Sequence, residues 1–165
     1  MRRSIASLAI IRQEIDGQCR YLAQWNPKWS GYSLVGGHKR ETESFRECIL
    51  REVQEELGLA HNVDFAIGAE PLAHLELEQW SESARVNTNY TLEVFEVTLI
   101  GTEATRKVTS ASQNCWLTLE QIRAGLAQDG KPISSTVRVV LEKTSAGFRL
   151  RERNTMEIRA CVKGV

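Results

Sequence analysis

The sequence predicts an α+β fold, a mixed and largely antiparallel sheet flanked by helices, from three observations. Several runs alternate apolar and polar residues at period two, as half-buried strands do, among them Leu75, Leu77, Leu92 and Val94 with their neighbours. One stretch, Phe45–Leu57, repeats its apolar residues at helical spacing between start and stop signals. Two more helical patterns follow the strands, an order that fits α+β better than alternating βα units.

Taken in order, Ser4–Gln13 and Cys19–Trp25 are apolar runs joined across Asp16-Gly17, a hairpin connection. Met1-Arg2-Arg3 ahead of the first run imitates a signal peptide. The apolar stretch is only about eight residues long, meets Arg12, Gln13 and Glu14, and lacks a small-residue cleavage site, so it reads as a first strand. Asn26-Pro27-Lys28 and Ser30-Gly31 punctuate a loop, and Tyr32–Val35 is a short strand leading into Gly36-Gly37. In the Phe45–Leu57 helix, Ser44 is the N-cap and Glu47 completes a capping box. Gly58 stands where a left-handed C-terminal residue is expected. Phe45, Ile49, Val53 and Leu57 recur at i,i+4 and anchor that helix to the sheet. Ala66–Trp80 and Asn89–Ile100 are two long strands joined by the polar stretch Ser81–Asn87. Asn114–Leu117 is a short strand. Thr118–Ala127 is a helix with Leu119, Ile122 and Leu126 on one side, and Ile133–Lys143 an amphipathic helix after Pro132. Phe148–Val162 reads as a hairpin turning near Asn154. No repeat, low-complexity tract or linker divides the chain, so a single domain is expected over residues 1–165, with 143–165 as a C-terminal hairpin extension.

Composition excludes more than it proves. Lys+Arg and Asp+Glu balance at 21 each, so no global field draws the protein to nucleic acid or to a membrane surface. An anionic substrate must be met by local features. No segment approaches the roughly 18 apolar residues of a membrane helix. Cys19, Cys48, Cys115 and Cys161 are far apart without zinc-type spacing, and read as reduced, mostly buried thiols of a cytoplasmic protein.

The informative segment is Gly36–Leu59, GGHKRETESFRECILREVQEELGL. On a helix Glu52 and Glu56 are i,i+4 neighbours and Glu55 is i,i+3 from Glu52, so three carboxylates crowd one stripe. Such like-charge pairs cost a few tenths of a kcal/mol each. The crowding becomes useful if a hard divalent cation with oxygen ligands binds there. Arg51, adjacent to Glu52 and i,i+4 from Glu55, can orient a ligand carboxylate through a bidentate contact. Gly36 and Gly37 allow close backbone approach to a phosphate or metal, the helix N-terminus adds amide donors, and His38, Lys39 and Arg40 add local positive charge.

Gly37, Glu43, Arg51, Glu52, Val53, Glu55, Glu56, Gly58 and Leu59 fill the pattern G-x5-E-x7-R-E-U-x-E-E-x-G-U, with U aliphatic, and in this the chain resembles the Nudix hydrolase family. At roughly 5–10% usage per residue type, seven fixed positions coincide by chance about once in 10⁷–10⁹ windows. The resemblance implies a Nudix-type α/β/α sandwich with the motif as loop–helix–loop. It implies Mg²⁺ or Mn²⁺ held by Glu52, Glu55, Glu56 and the carbonyl of Gly37. The activity it implies is hydrolysis of a nucleoside diphosphate linked to another moiety, by water attack at phosphorus. Glu55 is then the carboxylate nearest the attacking water, with Arg51 as its catalytic partner; Gly36, His38, Lys39 and Arg40 meet the substrate; Glu43 and Gly58 brace the motif. A nucleotide is the expected partner, and family members often form homodimers. The alternative is a non-catalytic nucleotide-sensing or protein-interaction module on the same fold.

Three positions depart from the family pattern. Val35 stands where many members have Pro, and Thr42 where Gly often precedes the first motif glutamate. Many members also carry a carboxylate shortly before a late tryptophan, whereas Ser110–Trp116, SASQNCW, has no acid. A base from outside the motif must then come from Glu76, Glu78, Glu93, Glu96 or Glu103. Trp25, Trp29, Tyr32 and Trp80 are candidates to stack on a base.

Overall fold

The computed structural model describes residues 1–81 and 83–144, so the hairpin expected over Phe148–Val162 lies outside the described residues. The chain runs β1 (Arg2–Ile10), β2 (Arg12–Ile15), β3 (Gln18–Asn26), β4 (Gly31–Ser33), β5 (Gly36–His38) and α1 (Phe45–Leu57). It continues through β6 (Phe65–Ile67), β7 (Ala73–Ser81), β8 (Val86–Leu99), α2 (Gly101–Ser110), β9 (Asn114–Leu117) and α3 (Leu119–Ala124). A further helix, α4, occupies residues 135–144.

One sheet has the order β5-β1-β8-β6, with β7 also on β8; the other joins β2, β3 and β4, with β9 on β3. β1 and β8 pair in parallel from Arg2↔Thr88 to Ile10↔Glu96, and the other pairings between these strands are antiparallel. Alternation explains the layers. Ala6, Ile10, Leu92 and Val94 feed a core on one face, together with Tyr32, Ile133, Val137 and Val140. Ala9, Ile11, Phe95 and Val97 feed a second core on the other face, where Ile49, Val53 and Leu57 of α1 and Ala104 and Val108 of α2 pack. A central sheet buried on both faces between helices is the α+β sandwich the sequence implied.

Several boundaries differ from the sequence reading. The run expected over Ser4–Gln13 divides at the fully buried Ile11 into β1 and β2, which belong to different sheets. Ala66–Trp80 also divides: the amides of Gly68 and Leu72 still donate to the Glu96 and Val94 carbonyls of β8, but Ala69–Pro71 between them leaves the ladder before β7 resumes it. β8 begins at Val86, shortening the expected link. The short strand expected over Tyr32–Val35 ends at Ser33, and Gly36–His38 is itself a strand, since its backbone pairs with β1. α2 went unexpected: it has no side-chain cap at Ile100 and buries only Ala104 and Val108, too little apolar periodicity to mark a helix. α3 stops at Ala124 because Gly125 adopts φ 73, and it buries Ile122 while Leu119 and Leu126 stay exposed. Asp16 (φ 53) and Gly17 (φ 73) form the expected hairpin turn. Cys48 is buried and Cys115 half-buried, but Cys19 is exposed, against the expectation of mostly buried thiols; these three are free. Among the described residues no helix is long and apolar enough to cross a membrane.

Candidate active site

α1 has the expected bounds and ends. Ser44 Oγ accepts from the Glu47 amide at 3.1 Å, the Glu47 carboxylate accepts from the Ser44 amide at 2.7 Å, and Gly58 closes the helix at φ 63. Burial of Ile49 and Val53, both wholly inaccessible, fixes the helix's rotation and turns its acidic stripe toward β5.

Arg51 is the hub of that stripe. Its Nε and Nη2 donate to the two oxygens of Glu43 at 3.0 and 2.6 Å, its Nη1 to Glu52 at 2.6 Å and Glu55 at 3.3 Å, and Nη2 also to the His38 carbonyl at 3.2 Å. The forked contact uses the planar guanidinium geometry that lysine lacks. Arg51 holds the Glu43 carboxyl down to about 2, helped by the Arg40 amide at 2.7 Å. Contact with Glu43, and then Glu52, in turn pushes the Arg51 guanidinium further toward its charged form. Glu43 therefore ties the motif's loop to its helix.

Gly36 and Gly37 are needed for different reasons. Gly36 has φ 147, and a side chain there would drive into the Ser7 carbonyl and Leu8 Cα across the β1–β5 ladder. A side chain at Gly37 would instead meet the Glu52 carboxylate, whose Cδ lies 2.6 Å from the Cβ position. The Gly37 carbonyl accepts a hydrogen bond from the buried Cys48 thiol at 3.4 Å.

Glu56 differs from its two acidic neighbours. It lines a groove of about 710 Å³ that also takes in Gly36, Gly37 and His38 and runs along β1 past Leu8, Ala6, Ser4 and Arg2. Its Oε2 accepts the Gly36 amide at 3.2 Å. Burial pushes its carboxyl up to about 7, the charges of Glu52 and Glu55 add to the rise, and only the Gly36 amide opposes it. Glu55 is the open member, its side chain 55% exposed, while that of Glu52 is 13% exposed. Lys39 and Arg40 do not line the groove: Lys39 Nζ caps the Arg40 carbonyl, and Arg40 faces Glu55 at 3.7 Å.

Three carboxylates and the Gly37 carbonyl form a donor set of hard oxygens, and an acid raised to about 7 by burial, with the charges of Glu52 and Glu55 adding to the rise, is one that a divalent cation would relieve. The residues therefore fit such an ion in chemistry. In the arrangement as it stands, Glu52 and Glu55 answer to Arg51, and among the described residues no three acidic, histidine or cysteine side chains converge on one point.

Of the acids considered as outside bases, none lines the groove. Glu93 faces His74 at 3.3 Å, Glu96 faces Arg12 at 3.5 Å and Glu103 pairs with Arg106. In the late acid-free stretch, Asn114 accepts from Gln24 Nε2 at 2.8 Å, and the same nitrogen reaches the Glu56 carbonyl at 3.4 Å. Gln24 and the groove itself escaped the sequence reading, because only the pairing of β3 with β9 brings residues 90 positions apart together.

The chain matches the NUDIX domain family over residues 1–137. Among solved structures it is similar to the Caenorhabditis elegans (C. elegans) Ap4A hydrolase, with TM-score 0.58 and 15% identity, covering 88% of this chain and 98% of that one. It is also similar to a NUDIX hydrolase from Nitrosomonas europaea, with TM-score 0.56, 20% identity and coverage of 88% and 90%. A third is the NUDIX domain of Shewanella oneidensis NrtR complexed with ADP ribose, with TM-score 0.56, 18% identity and coverage of 93% and 89%. At these identities the likeness is one of fold. Comparison with curated proteins gives no match.

Proposed function

The chain belongs to the Nudix family, and from that premise we propose that it is a single-domain, Mg²⁺- or Mn²⁺-dependent pyrophosphohydrolase acting on a nucleoside diphosphate linked to another moiety. The observation that carries this reading is the placement of Glu56, with Gly36 and Gly37, in a groove long enough for a nucleotide, while Arg51 fixes the acids beside it.

Glu52, Glu55, Glu56 and the Gly37 carbonyl would hold the cation. When bound, such an ion neutralises phosphate charge and lowers the pKa of water. The chain's own residues supply the rest. The bare Cα of Gly37 lets the Glu52 carboxylate lie against the backbone, and the Gly36 amide keeps Glu56 in the groove. Arg51 acts as a positioning residue, holding Glu52 and Glu55 relative to Glu43 and the His38 carbonyl. Glu55, the most solvent-open carboxylate of the three, takes the proton of the attacking water. The water oxygen bonds to phosphorus as the bridging oxygen departs with the other phosphate. Of the three basic residues, His38 lines the groove and is the polar contact for the departing group, while Lys39 and Arg40 lie outside the groove lining.

A second reading is a nucleotide sensor that does not turn over its ligand, favoured by the bonds of Glu52 and Glu55 to Arg51 and by the ADP ribose complex of the NrtR domain. Purified protein offered a panel of nucleotides, nucleotide sugars and dinucleotides, with Mg²⁺ or with a chelator, separates the two. Metal-dependent product release that falls by at least ~100-fold in Glu55→Gln and in Glu56→Gln supports the hydrolase. Unchanged rates in those variants refute the site, and ligand-dependent thermal stabilisation without product supports the sensor.

A further inference from the structure

α1 ends in a turn that its own backbone does not complete. The last carbonyls of a helix lack intrahelical partners, and here they are met from elsewhere. The Glu56 carbonyl accepts from Gln24 Nε2 of β3 at 3.4 Å, and that of Gly58, just beyond, accepts from Lys107 Nζ of α2. Of the three acids in the stripe only Glu56 lines the groove. It is held at both ends, its carboxylate by the Gly36 amide at 3.2 Å and its backbone by Gln24.

Register puts Gln24 in this place. Ser33 of β4, Gln24 of β3 and Asn114 of β9 lie opposite one another across three adjacent strands. They share the face of Leu22, which joins Val53 and Leu57 of α1 in the second core. The two amides form a relay with one direction. Asn114 Nδ2 donates to the Val108 carbonyl in the last turn of α2 at 2.8 Å, Asn114 Oδ1 accepts from Gln24 Nε2 at 2.8 Å, and the same Nε2 donates to the Glu56 carbonyl. Backbone carbonyls only accept, so an N–H must be presented at each end, and a single orientation of both amides makes all three bonds. A carboxylate at position 24 would have no hydrogen for either neighbour. With Lys107, the relay ties the last turn of α1 to the last turn of α2.

We propose that Gln24 is a positioning residue for the cation site, with Asn114 fixing the orientation of its amide. The relay sets where the last turn of α1, and Glu56 with it, stands against Gly36 and Gly37. Outer partners that orient ligand side chains are typically worth roughly 10–100-fold in metal affinity or activity. The proposal rests on the reading of Glu56 as a cation ligand.

The first readout is calorimetric titration of Mn²⁺ into the protein without nucleotide, and the second is kcat and KM on the best substrate of the panel. Gln24→Met and Asn114→Leu keep side-chain size and break the relay. Each weakens Mn²⁺ by about tenfold or more and lowers kcat to a similar degree, with KM within about threefold. Melting in chelator falls by no more than about 4 °C, as expected for one lost hydrogen bond. The double variant is within about twofold of the weaker single one, because the two amides act as a unit. Asn114→Asp keeps the acceptor for Gln24 and does not weaken Mn²⁺. Parental Mn²⁺ affinity in Gln24→Met, losses that multiply in the double variant, or an Asn114→Asp as weak as Asn114→Leu overturns the proposal. Mn²⁺ affinity that follows the relay in a protein that hydrolyses nothing in the panel removes the hydrolase reading alone, and a parent protein that binds no Mn²⁺ overturns both.

Discussion

The two glycines before α1 offer a paired test, because alanine should damage each in a different way. At Gly37 the backbone is not in a glycine-only region, and the added methyl meets the movable end of Glu52, with Cδ at 2.6 Å and Oε2 at 2.8 Å. To regain ordinary contact the carboxylate must retreat by about 1 Å. A misplacement of that size costs on the order of 10²-fold in rate, while the fold, relieved of some unfolded-state entropy, changes by less than about 1 kcal/mol. At Gly36 the methyl meets backbone that cannot yield, at φ 147. The strained conformation alone costs about 1–3 kcal/mol, and the contact with Ser7 and Leu8 adds to it. At about 2–4 °C per kcal/mol for a chain of this size, the strain alone should lower the melting temperature of Gly36→Ala by roughly 2–12 °C, with the backbone contact adding to it. Thermal melts in chelator and initial rates on the best substrate of the panel read both effects. If Gly37→Ala keeps its rate within about threefold, or if Gly36→Ala melts with the parent protein, the account of this loop is wrong.

Other outcomes follow from the same contacts. Arg51→Lys loses the forked contact with Glu43 and should lower kcat by roughly 10- to 100-fold with a smaller change in KM; an unaltered kcat would deny Arg51 its positioning role. Ile49→Ala, at a wholly buried position that docks α1, should cost about 2–5 kcal/mol in chemical denaturation, and a loss below about 1 kcal/mol would contradict the packing. Burial, then the bond to Asp129, pushes the Tyr32 phenol up to about 12. A raised folded-state value means stability present below the phenol's ordinary pKa of 10.0 and lost as pH climbs through about 12. Tyr32→Phe should accordingly remove phenolate absorbance that develops near pH 12; amplitude lost near pH 10 would refute the shift.

α1 was legible in full because its determinants are short-range. Ser44, Glu47 and Gly58 act within one turn of themselves, and the spacing of Ile49, Val53 and Leu57 declares which face is buried. The acidic stripe and Arg51 were legible for the same reason. The strand division at Ile11 was not, since a continuous apolar run carries no mark of the point where a chain leaves one sheet for another, whereas the break before β7 was marked by Gly68 and Pro71 and passed over. α2 stayed hidden behind a sequence with two buried residues and no cap.

By itself, then, the sequence determined the fold class, from the periodicities along the chain, and the helix with its capped ends and the identity of the acids upon it, from spacing within one segment. Tertiary structure alone decided that Glu56 lines the groove while Glu55 stands open, and that Asn114 reaches the Glu56 backbone through Gln24. Those outcomes depend on contacts between segments far apart in the chain, where pairing register and packing, not local propensity, fix which side of each residue meets solvent.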